Sequence, residues 1–172
     1  MITQKPVGVV RVSRQVGVPA RTAWRALTDW ERQREWMPAT RVRVVSPGDA
    51  GGVGGRLEAW TGLGPLGFLD TMIVTAWDPP RRCEVRHTGR MVRGQGVFAV
   101  VPIDAYRCMV VWEEHLDLPL GRLGRATWPV VAPMARAGLT WALRRFAAHV
   151  VQRATPPHDH VRLPARPTGN RT

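Results

Sequence analysis

The order of apolar and polar residues at the start of the chain predicts one strand followed by two short helices. Over residues 7–18 valine recurs at alternate positions, which is the spacing of a β-strand. From Pro19 to Thr28 the apolar residues fall on one helical face, and proline suits the first turn of a helix. Asp29 then has the position of an N-cap for a second short helix through Trp36, which Pro38 ends.

The middle of the chain predicts six short strands. Clusters rich in glycine and proline separate them at residues 47–52, 62–65 and 78–80, and such clusters are typical of turns. Short strands with regular turn signals indicate an antiparallel meander. The predicted strands are Arg41–Ser46, Gly55–Thr61, Phe68–Trp77, Arg82–Thr88, Gln95–Val101 and Arg107–Leu118.

The last third of the chain predicts one long helix. From about Thr127 to Arg153 only Pro129 and Pro133 interrupt a helical pattern. An apolar stripe at helical spacing follows them, formed by Leu139, Ala142, Leu143, Phe146 and Val150. One strand, two short helices, six strands and a long helix make an α+β fold, with the helices gathered on one side of a seven-stranded antiparallel sheet. Residues 1–154 are expected to form a single domain, and the proline-rich basic tail at 155–172 is expected to be disordered.

The element order resembles the START-like helix-grip fold, also called the SRPBCC or polyketide cyclase/dehydrase and lipid-transport superfamily. No single motif carries this resemblance; the order of several does. They are Val18–Trp24, Thr28-Asp29-Trp30, Trp36-Met37-Pro38, Pro79-Pro80 after Val74-x-x-Trp77, Gly94-x-Gly96-x-Phe98, Val111-Trp112-x-Glu114 and Leu118–Gly121. The resemblance covers about residues 8–153. It implies a sheet curved around the C-terminal helix and a hydrophobic cavity between them, but no one reaction.

Length and composition agree with one globular domain. The chain has 172 residues, of which 44% are hydrophobic and 22% charged. No apolar run reaches the roughly 20 residues of a membrane span, and the N-terminus has no signal-peptide pattern. Cys83 and Cys108 are too few for a disulfide scaffold or a cysteine metal site, so we expect a reduced, cytoplasmic protein without metal or cofactor.

The charge is strongly positive, with 25 basic against 13 acidic residues and a net charge of +12. Such a balance favours nucleic acid or an anionic surface as partner. However, all basic residues except Lys5 are arginines, and they are dispersed without a run of five. Because no aromatic-basic RNA-binding signature accompanies them, we interpret them as a solvated basic surface, which argues against nucleic acid.

Two titratable residues are candidates for chemistry. On the last predicted strand Glu114 shares a parity with apolar residues, which places it toward the long helix. A buried carboxylate needs a partner or a proton, so Glu114 is either a general acid/base or half of an ion pair with an arginine. His87 shares the parity of Cys83 and Val85, and it is either a second proton carrier or a satisfied core histidine.

Aromatic and thioether side chains are the candidates for a cavity wall. The chain has eight Trp against three Phe and one Tyr, and flat rings with flexible Met side chains suit a ring-shaped or acyl ligand. The same residues could simply fill the core. The candidates are Trp36, Met37, Trp60, Met72, Phe98, Trp112, Met134 and Trp141, although Leu57 and Ala59 compete with Trp60 for the inner face. Arg90, with Arg93, could bind a ligand anion at the rim or simply be solvated.

Two other motifs are set aside. Residues 62–67 match G-x-G-x-x-G, but a strand rather than a helix is predicted after them, and Pro65 lacks a backbone donor for a phosphate. His158-Asp159-His160 lies in the predicted tail without further metal ligands.

Three functions therefore remain open. The first is binding of a hydrophobic small molecule, lipid- or polyketide-like, in a cavity. The second is a polyketide cyclase, aromatase or dehydratase that uses Glu114 and His87 as proton carriers, with Arg90 as anchor. The third is a basic module for nucleic acid or an anionic surface, whose binding would weaken steeply with salt. The oligomeric state, monomer or homodimer, stays open.

Overall fold

A computed structural model describes residues 8–37, 39–49, 52–63, 65–117 and 122–154, with side chains in the final helix described from residue 126. The predicted order of elements is confirmed. The elements are β1 (Gly8–Val16), α1 (Ala20–Leu27), a 3-10 helix (Trp30–Glu35), β2 (Thr40–Ser46), β3 (Arg56–Leu63), β4 (Leu66–Asp78), β5 (Arg82–His87), β6 (Gly94–Pro102), β7 (Cys108–Leu116) and α2 (Arg122–Ala154). The tail at 155–172, with its His158-Asp159-His160 motif, lies outside the described residues.

The seven strands form one curved antiparallel sheet in the order β1-β7-β6-β5-β4-β3-β2. Strands β2 to β7 follow one another as hairpins, as the spacing of turn residues predicts. Strand β1 pairs with the last strand, from Gly8 opposite Leu116 to Val16 opposite Cys108. The G-x-G-x-x-G match therefore belongs to the β3–β4 hairpin, since Gly62 pairs with Gly67.

Helix α2 runs alongside β1 and covers the inner face of the sheet. Near its start Trp128 packs on Gly8, where a Cβ would lie 2.5 Å from the indole ring, so only glycine admits this contact. Its second half buries Leu143, Phe146 and Val150 in the core. These are members of the predicted apolar stripe.

Two local predictions need correction. Helix α2 begins at Arg122, five residues before the predicted start, and Pro129 and Pro133 lie inside it without interrupting it. Asp29 does precede the second short helix, but its side chain makes no capping hydrogen bond; it lies 3.9 Å from Nε of Arg32 instead.

The described arginines lie mainly on outer surfaces, and many pair with carboxylates there. Examples are Arg43 with Glu58 at 2.6 Å and Arg81 with Asp78 at 3.0 Å. Both cysteines are free and buried, and burial raises the pKa of Cys83 to about 12. None of the described helices has the length and apolar composition needed to cross a membrane.

Candidate functional site

A cavity of about 470 Å³ lies between the sheet and the middle of α2. This volume is within the range of about 300–1,000 Å³ that small-molecule sites occupy. Phe68 and Trp141 line it and are 36% and 49% exposed, so the cavity opens to solvent beside them. Its other uncharged lining residues are Val10, Trp30, Gln33, Met37, Ala39, Thr40, Val42, Ala59, Thr61, Met72, Val85, Val92, Phe98, Trp112, Leu116, Ala135, Gly138, Leu139 and Ala142.

Three titratable side chains share one part of the cavity wall: Asp70 on β4, His87 on β5 and Glu114 on β7. Nδ1 of His87 lies 2.7 Å from Oδ2 of Asp70, and its Nε2 lies 3.0 Å from Oε2 of Glu114. We call these three residues the charged triad. Their side chains are only 7–14% exposed, so each depends on the others for charge compensation.

The sheet register explains how residues from three strands meet. Met72 pairs with His87, so Asp70, two residues before Met72, is the diagonal neighbour of His87 on the same face. Glu114 is two strands away from His87, a backbone separation of about 9.5 Å, so the contact must pass over β6.

Strand β6 allows this contact because its residue in between is Gly96, which pairs with both Val85 and Glu114. A Cβ there would lie 3.1 Å from Nε2 of His87 and 3.2 Å from Oε1 of Glu114. A side chain at Gly96 would crowd both groups, so glycine at this position leaves room for the imidazole and the carboxylate to meet.

The geometry favours a doubly protonated His87. Burial by itself lowers the pKa of His87, but the hydrogen bonds and negative charges of Asp70 and Glu114 outweigh it and raise the pKa to about 10. Both ring nitrogens then donate, one to each carboxylate. Glu114 also accepts a hydrogen bond from Nε1 of Trp112 at 2.6 Å, which fixes its second oxygen. Among the described residues Oδ1 of Asp70 has no hydrogen-bond partner.

A row of aromatic rings separates the cavity from the filled core. Phe98 and Trp112 lie 4.8 Å apart between ring centroids and both line the cavity. On the core side Trp36 packs edge-on against Trp112 at 6.3 Å and against Phe146 at 5.1 Å. These contacts hold the indole of Trp112 in place, and with it the Nε1 donor to Glu114.

The structure places some predicted ligand-binding residues in the cavity wall and others elsewhere. Met37, Met72, Phe98, Trp112 and Trp141 line the cavity together with the two predicted proton carriers. The predicted residues Trp36, Trp60, Met134 and Arg90 do not line it.

Each of the four has a physical reason to lie elsewhere. Trp36 is 1% exposed in the core, and Met134 is 71% exposed on α2. Trp60 has the opposite parity to Leu57 and Ala59, which take the inner face of β3. Arg90 is exposed in the β5–β6 connection.

Asp70 is the main site residue that the sequence reasoning missed. Its signal was present, because Asp70 has the same strand parity as Met72 and Val74. The arginine partner considered for Glu114 is also replaced, since the partner in the structure is His87. Within the described residues no group of three or more His, Cys, Asp or Glu side chains is placed to hold a metal ion.

Comparisons with known proteins agree with this fold. Residues 8–154 match the family model described as polyketide cyclase / dehydrase and lipid transport. No curated protein matches the sequence. Three solved structures are similar. TTHA0849 from Thermus thermophilus is 16% identical over 86% of this chain and 100% of its own, with a TM-score of 0.70. The Zhui aromatase/cyclase from Streptomyces sp. R1128 is 18% identical over 86% of this chain and 96% of its own (TM-score 0.68), and a START superfamily protein from Mycobacterium smegmatis is 15% identical over 84% and 97% (TM-score 0.69). At these identities the likeness concerns the fold alone.

The raised pKa of His87 predicts a pH dependence of stability. Because the pKa of His87 is higher in the folded than in the unfolded protein, protonated His87 stabilises the fold. This contribution is complete below the unfolded pKa of 6.5 and is lost as the pH rises toward about 10. His87→Gln leaves two buried carboxylates without a cation, which we expect to cost about 3–5 kcal/mol at the acid end of this range. Urea unfolding at both ends should show the difference between wild type and variant shrinking as the pH rises. His115→Gln, on the outer face of β7, is the control. If the difference in unfolding free energy between wild type and His87→Gln did not change with pH, His87 would not be protonated in the folded protein.

The close approach at Gly96 predicts a second effect. Gly96→Ala and, more strongly, Gly96→Val should push His87 and Glu114 apart and lower the pKa of His87 from about 10 toward 6.5. NMR titration of the imidazole protons measures this directly. Gly17→Ala is the matched control, because the nearest atom to a Cβ at Gly17 is 3.8 Å away. If the His87 titration is the same in all variants, the contact across β6 does not control its protonation.

Proposed function

Because the chain belongs to the polyketide cyclase / dehydrase and lipid transport family, we propose that its cavity binds a hydrophobic, lipid- or polyketide-like small molecule between the sheet and α2. The observation that carries this proposal is the space itself. About 470 Å³ remains beside a well-packed aromatic core, and its wall is mainly apolar. Proteins fill such space with side chains when it has no occupant, since an empty apolar cavity destabilises the fold.

The lining residues favour a flat or flexible hydrocarbon. The tilted rings of Phe98 and Trp112 provide an aromatic surface, and Met37 and Met72 add adaptable thioethers. On α2 the wall includes the small residues Ala135, Gly138 and Ala142 beside Leu139 and Trp141. These small residues keep the helix from filling the cavity.

The charged triad favours a second candidate function, proton transfer in a cyclase or dehydratase reaction. Glu114 is a carboxylate in the cavity wall, held by Trp112 and His87 in a fixed orientation. With a β-hydroxyketone, Glu114 would take the proton from the carbon next to the carbonyl. The carbon–oxygen bond of the hydroxyl group would break, and Glu114 would return the proton to the departing oxygen, which gives an enone and water. His87 would stay protonated and hold the Glu114 carboxylate in position.

Blocking the cavity should abolish ligand binding without unfolding the protein. A Cβ at Gly138 meets nothing within 4 Å, and the position lines the cavity, so Gly138→Trp fills the space without a clash at the backbone. Replacing a helical glycine should also stabilise the helix by about 0.5 kcal/mol. We expect the fluorescence signal of bound N-phenyl-1-naphthylamine to be lost. Ala137→Trp, at the preceding helix position, which does not line the cavity, is the control; binding that survives in Gly138→Trp would contradict the proposed site.

The enzyme candidate predicts a separation of binding from turnover. Glu114→Gln keeps the shape of the side chain but removes the base, so conversion of 4-hydroxy-4-phenylbutan-2-one to its conjugated enone should fall by about 100-fold or more. Binding of N-phenyl-1-naphthylamine should persist. The enone is followed by its ultraviolet absorbance, with Glu113→Gln on the outer face as control. Wild-type conversion no faster than in buffer would argue against the enzyme, while binding would stand.

A further inference from the structure

The charge of the cavity is opposite to the charge of the chain. The chain carries +12, yet among the described residues the only charged or titratable side chains that line the cavity are Asp70, His87 and Glu114. With His87 protonated, two carboxylates face one cation, which leaves a net charge of −1. None of the described arginines lines the cavity.

The triad offers hydrogen-bond acceptors and no free donor. Both N–H groups of His87 and the indole N–H of Trp112 are already given to carboxylates. Oδ1 of Asp70 has no partner among the described residues, and each oxygen of Glu114 accepts only one hydrogen bond there although a carboxylate oxygen can accept two. A ligand group that docks here must therefore bring its own N–H or O–H.

Arg145 on α2 does not change this balance. The guanidinium carbon of Arg145 lies 5.2 Å from the ring centre of Trp141, which lines the cavity beside its opening. However, Arg145 is exposed and donates through Nε to the backbone oxygen of Trp36. A ligand carboxylate inside the cavity would find no cation in the described part of the wall other than the already paired His87, and would lose its water next to like charges.

We propose that the cavity selects apolar molecules bearing a hydroxyl or protonated amine, which docks on Asp70 and Glu114, and rejects the same skeletons bearing a carboxylate. This inference rests on the proposed function, because it names the ligand class of the same cavity. Free fatty acids are thus excluded as ligands, while hydroxylated rings and alkyl amines or alcohols are accepted.

The test compares three ligands that share one hydrocarbon chain. Decylamine, decanol and decanoate compete with N-phenyl-1-naphthylamine for the wild-type protein at physiological salt. The two ions are kept below their micellar concentrations and decanol below its solubility limit. We expect decylamine and decanol to displace the probe at concentrations at least about tenfold lower than decanoate. Gly138→Trp, with its cavity blocked, reports any probe bound to the outer surface.

Two variants link the preference to the triad. Glu114→Gln removes one negative charge from the wall, so the preference for decylamine over decanoate should shrink about fivefold or more. Glu113→Gln removes a charge from the outer face of the same strand and should leave the preference unchanged. If the probe binds in the cavity and decanoate displaces it at the same concentration as decylamine, the inference is overturned and the proposed function stands. Absence of specific probe binding would overturn both.

Discussion

The structure depends on one constraint, the burial of an imidazolium between two carboxylates. Asp70, His87 and Glu114 come from β4, β5 and β7, and none of them has enough solvent contact to be stable alone. Their contacts exist only in one sheet register, because a shift by one residue would turn any of these side chains to the other face. Gly96 is part of the same constraint, since the contact between His87 and Glu114 crosses β6 at this residue. The charged triad therefore both specifies the strand register and forms the charged part of the cavity wall.

The cavity stays open because the middle of α2 and its C-terminal part pack differently. The C-terminal part places Leu143, Phe146 and Val150 against the sheet and fills the core. The middle of the helix contributes the small residues Ala135, Gly138 and Ala142 to the cavity wall, and side chains do not fill the space opposite them. Trp36 stands at the boundary, in contact with Phe146 on one side and Trp112 on the other. The packed C-terminal part holds the helix in position, so the part beside the cavity needs no space-filling side chains to support it.

The sequence predicts the fold better than the site, for a physical reason. Strand alternation is a local property, so the parity of β5 and β7 suffices to place His87 and Glu114 on the inner face. Contacts between strands depend on register, which the alternation does not determine. The hydrogen bond between His87 and Glu114 across Gly96 therefore could not be derived from the sequence. Asp70 obeys the same parity rule, but a single acid among apolar residues gives no sign of its partner. Trp36 was misplaced because an aromatic residue looks the same in a core as in a cavity wall.

The surface of the protein is positively charged and the cavity wall is negatively charged, and the cavity wall is what selects the ligand. Charges on exposed arginines act through water and salt, which screen their electrostatic interactions over a distance of about 8 Å. Many of them are also paired with carboxylates, as Arg43 is with Glu58. The triad acts inside an apolar wall, where each charge is felt more strongly because fewer water dipoles oppose it. A ligand that is drawn to the basic surface by its negative charge would thus be disfavoured at the triad. Net charge and ligand preference are therefore separate properties of this chain, and the few buried groups determine the second.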